Sequence, residues 1–306
     1  MSAHDIRTEM VQANGLEFEV QKCGEGDTLV MCLHGFPEHA TSWRFQMPLL
    51  AEMGYTVWAP NQRGYGKSSK PKGKANYAID HLTADIGALF DASGCKDMIL
   101  MGHDWGAGVA WSFAINKVRP LQKLIIANVP HPRGMAREFA NNPEQKKKSW
   151  YIGAFQIPWL PEFVIRRGRA KAVENAFLGT AVHKENFPPE IIDIYRENIL
   201  QPGAASGMIN WYRANLKGGP GDDPEDEIET LAVPTLMLWG EQDMALTKES
   251  TFGTEDWVDD FTIRYLPEAS HWVQQDAPLA FNAALAAWLK GELIPTEAAD
   301  SPINEN

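Results

Sequence analysis

The chain has 306 residues, 44% of them hydrophobic, with 28 basic against 40 acidic side chains and a formal charge of −12. That acidic balance argues against nucleic acid and against anionic membrane surfaces as partners. Three cysteines in no metal-like spacing (Cys23, Cys32, Cys95) read as reduced thiols of a cytoplasmic protein; the N-terminus lacks the apolar stretch of a signal peptide, and no segment approaches a membrane span.

Residues 9–22 alternate weakly and predict one antiparallel opening strand. Residues 28–33 form the first buried apolar run, which ends in His34-Gly35-Phe36-Pro37-Glu38. A helix is expected over 42–53 with Ser42 as its cap. A strand over 55–59 then ends in Asn61-Gln62-Arg63-Gly64-Tyr65-Gly66-Lys67-Ser68, and residues 77–92 read as an amphipathic helix.

The apolar run 98–101 meets Gly102-His103-Asp104-Trp105-Gly106, and a small, apolar helical pattern follows over 105–116. A strand turning sharply into a helix leaves no room for side chains beside the central residue, and glycine at both flanks removes them. The spacing is that of a nucleophile elbow with aspartate where serine usually stands. An aspartate there is already ionised near neutral pH, and a helix N-terminus favours its charge by about 0.3–1 kcal/mol. Taken alone, the pattern fits an N-capping aspartate equally well.

A further buried strand over 121–127 ends in Asn128-Val129-Pro130-His131-Pro132. These continuous apolar runs suit parallel strands covered on both faces, and their alternation with helices predicts a doubly wound α/β sheet. Chemistry in such sheets collects at the carboxyl ends of the strands, where every polar motif above sits. Residues 134–217 lose the strand runs and gain aromatic helical segments around Trp150, Tyr151, Phe155, Trp159, Phe163, Tyr195, Trp211 and Tyr212, the pattern of an inserted helical lid. Lys146, Lys147 and Lys148, with Arg166, Arg167 and Arg169, depart locally from the acidic balance and read as solvated helix faces. A Gly- and Pro-rich connector at 218–224 leads back to strands at 234–239 and 261–266 with a helix between them, a closing helix at 278–290, and a polar tail from about Pro295. The expected division is a core of 1–133 and 226–306 with a lid and connector of 134–225.

Asp243 follows the strand at 234–239, and His271 follows the strand at 261–266. Asp104, Asp243, His271 is the order nucleophile, acid, histidine of the α/β-hydrolase fold. The backbone N–H groups of Phe36 and Trp105 would then form an oxyanion hole, with the His34 and His103 side chains bracing the site.

On these motifs, and on the segments around Tyr151 and Asn210-Trp211-Tyr212-Arg213, the chain resembles the epoxide-hydrolase branch of the α/β-hydrolases from about residue 25 to 290. The resemblance implies that Tyr151 and Tyr212 hold and protonate an epoxide oxygen; without it, both read as lid core aromatics. It also implies an apolar epoxide and water as substrates, contacts from Trp105, Phe155 and Trp211, and no metal or cofactor. The lid aromatics, Trp150 and Trp159 among them, are expected to make an apolar pocket. Asn61 departs from the aspartate usual at the start of the Arg-Gly-Tyr-Gly motif and is expected to alter local hydrogen bonding with little loss of chemistry. A haloalkane dehalogenase, with the Trp105 indole facing a halide, is the nearest alternative. A fluoroacetate-type dehalogenase would want arginines where Trp105 and Gly108 stand. A binding protein of the same fold would often lack a triad member, and an esterase would need a serine at the elbow. Oligomeric state is not legible.

Overall fold

In a computed structural model, residues 5–215 and 229–295 are described; the predicted connector and nearly all of the predicted polar tail lie outside them. The strands are β1 (Arg7–Ala13), β2 (Leu16–Cys23), β3 (Thr28–Leu33), β4 (Thr56–Pro60), β5 (Asp97–His103), β6 (Lys123–Ala127), β7 (Thr235–Gln242) and β8 (Phe261–Ser270). They form one eight-stranded sheet in the order β1-β2-β4-β3-β5-β6-β7-β8. β1 pairs antiparallel with β2, and β2 antiparallel with β4; every other pairing is parallel. The single opening strand predicted at 9–22 is therefore a hairpin. Ala13 pairs with Leu16 across Asn14 and Gly15, at φ 49° and 70°. Asn-Gly is the pair that such a two-residue turn favours, and the weak alternation on either side hid it.

Successive residues of the central strands face opposite layers. Met98 and Leu100 of β5 pack toward α2 (Ile79–Ser93) and α3 (Trp105–Ile115). Ile99 and Met101 pack toward α1 (Gln46–Glu52) and α11 (Pro278–Lys290). Both faces are covered, so the strands read as unbroken apolar runs. Helix α1 starts later than predicted. Pro48 fits only within a first turn, so the helix begins just before it, and Ser42 is buried in a separate 3₁₀ turn, Ala40–Trp43.

Between β6 and β7 the described residues carry six α-helices: α4 (Pro132–Asn141), α5 (Pro143–Lys148), α6 (Trp150–Phe155), α7 (Leu160–Leu178), α8 (Pro189–Leu200) and α9 (Ala204–Ala214). α7 is broken at 167–170, where Gly168, Arg169 and Ala170 take left-handed backbone. Buried Phe177, Tyr195 and Trp211 of this insertion share one core with the sheet. The helix predicted between β7 and β8 is instead two 3₁₀ turns, Lys248–Thr251 and Thr254–Asp256. The hydroxyls of Ser250, Thr251 and Thr254 donate to carbonyls three residues back, which competes with α-helical bonding. α10 (Val273–Asp276) links β8 to α11. The three cysteines are free, and no helix among the described residues is long and apolar enough to cross a membrane.

Candidate active site

β5 ends at His103, α3 begins at Trp105, and Asp104 between them has φ 49° and ψ −124°. A non-glycine residue in that region is strained, and such strain persists where the surroundings fix it. A β-carbon on Gly106 would fall on the Leu33 carbonyl, and one on Gly35 would fall on the Asp104 carboxylate. The loop after β3 can therefore lie against the elbow, and the Phe36 N–H donates to Asp104 Oδ1 at 2.7 Å. Trp105 opens α3, so its N–H is one of those the helix leaves without an internal partner.

His271 follows β8 directly. Its Nδ1 lies 2.7 Å from Asp243 Oδ2, and its Nε2 lies 3.5 Å from Asp104 Oδ2. Burial works against a charge on His271, but the charge and hydrogen bond of Asp243, together with Asp104, outweigh it and push the imidazole up to about 10. The resting ring is therefore an imidazolium between two carboxylates. Burial also opposes the charge of Asp243, yet His271, the Asn128 amide and the Leu246 N–H hold it below the usual carboxylate value. Asn128 Nδ2 donates to Asp243 Oδ2 at 2.7 Å, and Asn128 Oδ1 accepts from the Gly240 N–H at 2.7 Å. Asn128 thus ties the end of β6 to the acid at the end of β7. The sequence reading gave it no role; a polar residue directly after a buried strand run was the available signal, and in the structure it takes φ 43°.

Behind the nucleophile, His103 and Glu38 are fully buried. His103 Nδ1 meets Glu38 Oε2 at 2.8 Å, and Nε2 meets the His271 backbone carbonyl at 2.8 Å. A carbonyl only accepts, so Nε2 carries a proton, and the Nδ1 contact needs a second one from the ring or the acid. The pair is neutral overall and pins the backbone of His271. Glu38 also accepts from Gly35 N–H at 2.6 Å and from the Gln274 and Gln275 amides at 3.0 and 2.8 Å. His34 is held down to about 4 by burial, and its Nε2 accepts the Gln62 N–H at 3.2 Å. It is a neutral brace. The sequence motif that contains Glu38 assigns it no role, because its partners are distant in sequence.

A cavity of about 520 Å³ opens over Asp104 and His271, and Tyr151 of α6 and Tyr212 of α9 line its far side. The two phenol rings meet edge-on at 5.9 Å, and Tyr212 packs edge-on against Trp105 at 5.0 Å. Burial, then the Asp104 charge, raises both phenols above their ordinary value, so both keep their protons. Trp105 lines the cavity, but Phe155 and Trp211 do not. Phe155 packs edge-on against Tyr151, Tyr212 and Phe36. Trp211 is fully buried and donates its indole N–H to the Arg63 carbonyl at 3.1 Å. The apolar lining comes from Val129, Met135, Phe139, Ile152 and Leu246, while Trp150 and Trp159 face outward. Successive residues of a helix point about 100° apart, so with Tyr151 and Ile152 of α6 both turned to the cavity Trp150 falls on the outer side.

A family model of the alpha/beta hydrolase fold matches residues 28–278. A Bacillus subtilis protein, AB hydrolase superfamily protein YfhM, is 36% identical over 288 residues, which cover 94% of this chain and 99% of that protein. Human epoxide hydrolase 4 is 36% identical over 288 residues, covering 92% of this chain and 78% of that protein. A crystal structure of a Bacillus megaterium epoxide hydrolase variant, complexed with its product, matches with a TM-score of 0.85 at 30% identity, covering 92% of this chain and 100% of that one. The chain belongs to the alpha/beta hydrolase fold family and, within it, to the epoxide hydrolases.

Proposed function

We propose that this protein hydrolyses an apolar epoxide to a vicinal diol through an alkyl ester on Asp104, with residues 134–225 acting as lid and connector. The observation that carries the proposal is one cavity lined by a carboxylate nucleophile on the sheet side and two protonated phenols on the other. The Asp104 carboxylate attacks a ring carbon, the carbon–oxygen bond breaks, and the nascent alkoxide takes a proton from Tyr151 or Tyr212. Ester formation removes the negative charge that helps to keep His271 protonated. His271, still oriented by Asp243, then gives its proton back to the phenolate left at Tyr151 or Tyr212 and accepts one from water, which attacks the Asp104 carbonyl. The N–H groups of Phe36 and Trp105 stabilise the oxyanion, and losing one such donor typically costs about 2.7–4 kcal/mol. The tetrahedral intermediate collapses, the leaving diol oxygen takes the proton of the new carboxyl group, and free diol and ionised Asp104 remain, with His271 again protonated.

The test is mass spectrometry of a His271→Gln variant incubated with epoxides and haloalkanes. An epoxide adduct carries the whole mass of the substrate, because ring opening expels nothing. A haloalkane adduct lacks the elements of hydrogen halide, and finding only that species overturns the proposal in favour of a dehalogenase. No adduct from either panel assigns the protein a binding role. Adding Tyr151→Phe and Tyr212→Phe to the trap should slow epoxide alkylation by about 10²-fold or more. An unchanged alkylation rate removes the phenols from the mechanism.

A further inference from the structure

The outer surface of α5, α6 and the first half of α7 is apolar and basic. Trp150, Trp159 and Phe163 are 71%, 74% and 62% exposed, and Ile157, Leu160 and Val164 are exposed beside them. Leu160, Phe163 and Val164 follow the i, i+3, i+4 spacing of one helix face, while Pro161 and Ile165 turn inward. Exposed large aromatics grouped in this way mark a surface that meets another apolar phase. The charges around them have one dominant sign. Residues 143–171 hold seven basic and two acidic side chains, in a chain whose formal charge is −12. Both acids are engaged: Glu144 lies 3.8 Å from Lys148, and Glu162 lies 2.6 Å from Arg213. Among the described residues, Lys146, Lys147, Arg166, Arg167 and Arg169 pair with no carboxylate.

The inner side of α5 and α6 belongs to the cavity. Lys146, Ser149, Tyr151 and Ile152 line it, and buried Gln145 fixes α5 to the core by donating to the Ala245 carbonyl at 3.0 Å. The outer face is thus held rigidly beside the cavity that takes an apolar substrate.

We propose that this face binds the surface of an anionic phospholipid bilayer, with the indoles and Phe163 in the headgroup–acyl boundary and the lysines and arginines on the phosphates. Aromatic anchors rimmed by Lys and Arg are the composition that lies in such an interface. The sign is wrong for a second copy of the chain, since two such faces would oppose like charges. The acidic balance of the whole molecule, which argues against anionic membranes, does not describe this face. Vesicle binding goes beyond the catalytic reading; the delivery of bilayer-dissolved epoxide to the cavity rests on it.

The experiment is co-sedimentation with phosphatidylcholine vesicles with and without phosphatidylglycerol, at two salt concentrations. The wild-type protein is expected to sediment with the anionic vesicles and to be released by salt. Trp159→Glu with Phe163→Glu should weaken binding by about tenfold or more, and Lys147→Glu with Arg166→Glu should abolish the preference for phosphatidylglycerol. None of these residues lines the cavity, so turnover of a water-soluble epoxide should remain, which also shows that the variants fold. Wild-type protein that stays in the supernatant with both vesicle types overturns the proposal. So does equal binding by the Trp159/Phe163 variant, or a wild-type dimer that this variant converts to monomer in the absence of vesicle binding. Vesicle binding by a protein that turns over no epoxide supports this inference while overturning the catalytic reading.

Discussion

Asn61 is fully buried where the motif usually begins with aspartate, and its surroundings explain the amide. Its Oδ1 accepts the Ala40 N–H at 2.8 Å, and its Nδ2 donates to Glu19 Oε2 at 2.8 Å with His39 Nε2 also at 2.8 Å. Glu19, despite burial, is brought down to about 2 by the His39 hydrogen bond, the Lys67 N–H and the Asn61 amide. An aspartate at 61 would set a second carboxylate against Glu19. Asn61→Asp should therefore destabilise the fold by about 1–3 kcal/mol at neutral pH. The deficit should shrink as the medium becomes acidic and one of the two acids takes a proton. Thermal melts of both proteins check this, and a pH-independent difference removes the charge argument. The departure at Asn61 was legible in the sequence, as were Asp104, Asp243, His271 and Phe36, because elbow and strand-end positions fix them locally. Asn128 and Glu38 were not assigned, because their roles exist only once β6 meets β7 and the loop after β3 meets the end of β5.

Helix α9 carries Tyr212, and its attachments show how an element far along the chain is set against the core. Arg213 binds Glu162 and the Phe155 and Ile157 carbonyls, which fixes α6 and α7 beside it. Asn215, just past its end, accepts the Ile79 N–H at 2.8 Å and donates to the Tyr77 carbonyl at 2.9 Å. Ala78 supplies no side-chain cap for α2, so Asn215 provides one from 136 residues away. Asn215→Ala should cost about 1 kcal/mol of stability, in the range of a lost cap, and should slow alkylation because Tyr212 lies one turn earlier. Urea melts and single-turnover kinetics read the two effects separately; unchanged values in both remove the cap. At this scale the sequence reading recovered the parallel strands and most core helices, where apolar periodicity is strong. It merged the first hairpin, misplaced the start of α1 and turned two 3₁₀ turns into a helix. Those three departures rest on local side-chain chemistry: Gly15 for the hairpin, Pro48 for the helix start, and the hydroxyls of Ser250, Thr251 and Thr254 for the 3₁₀ turns.

The whole molecule balances buried histidines of opposite tendency. His34 and His131 are held down to about 4, in both cases chiefly by burial, against an ordinary value of 6.5. They stay neutral in the fold, so their contribution is complete above 6.5 and is lost as pH falls toward 4. His271, raised to about 10, contributes fully below 6.5, and that contribution is lost as pH rises toward 10. Stability should therefore peak near pH 6.5 and fall on both sides. Melts of a His271→Gln variant across pH should flatten the alkaline limb and leave the acid limb; an unchanged alkaline limb assigns that limb to other groups. The sheet order also sets the sequence in which function fails. Asp104 directly follows β5 and its Phe36 donor lies on the loop after β3, both inner strands of the sheet, whereas His271 follows β8, an edge strand. Fraying of that edge removes the base while the nucleophile is still in place. On heating, the hydrolytic half of the cycle should then fail before the alkylation half, and a protein losing its edge strand would be inactivated by its own substrate, carrying the ester it can no longer release.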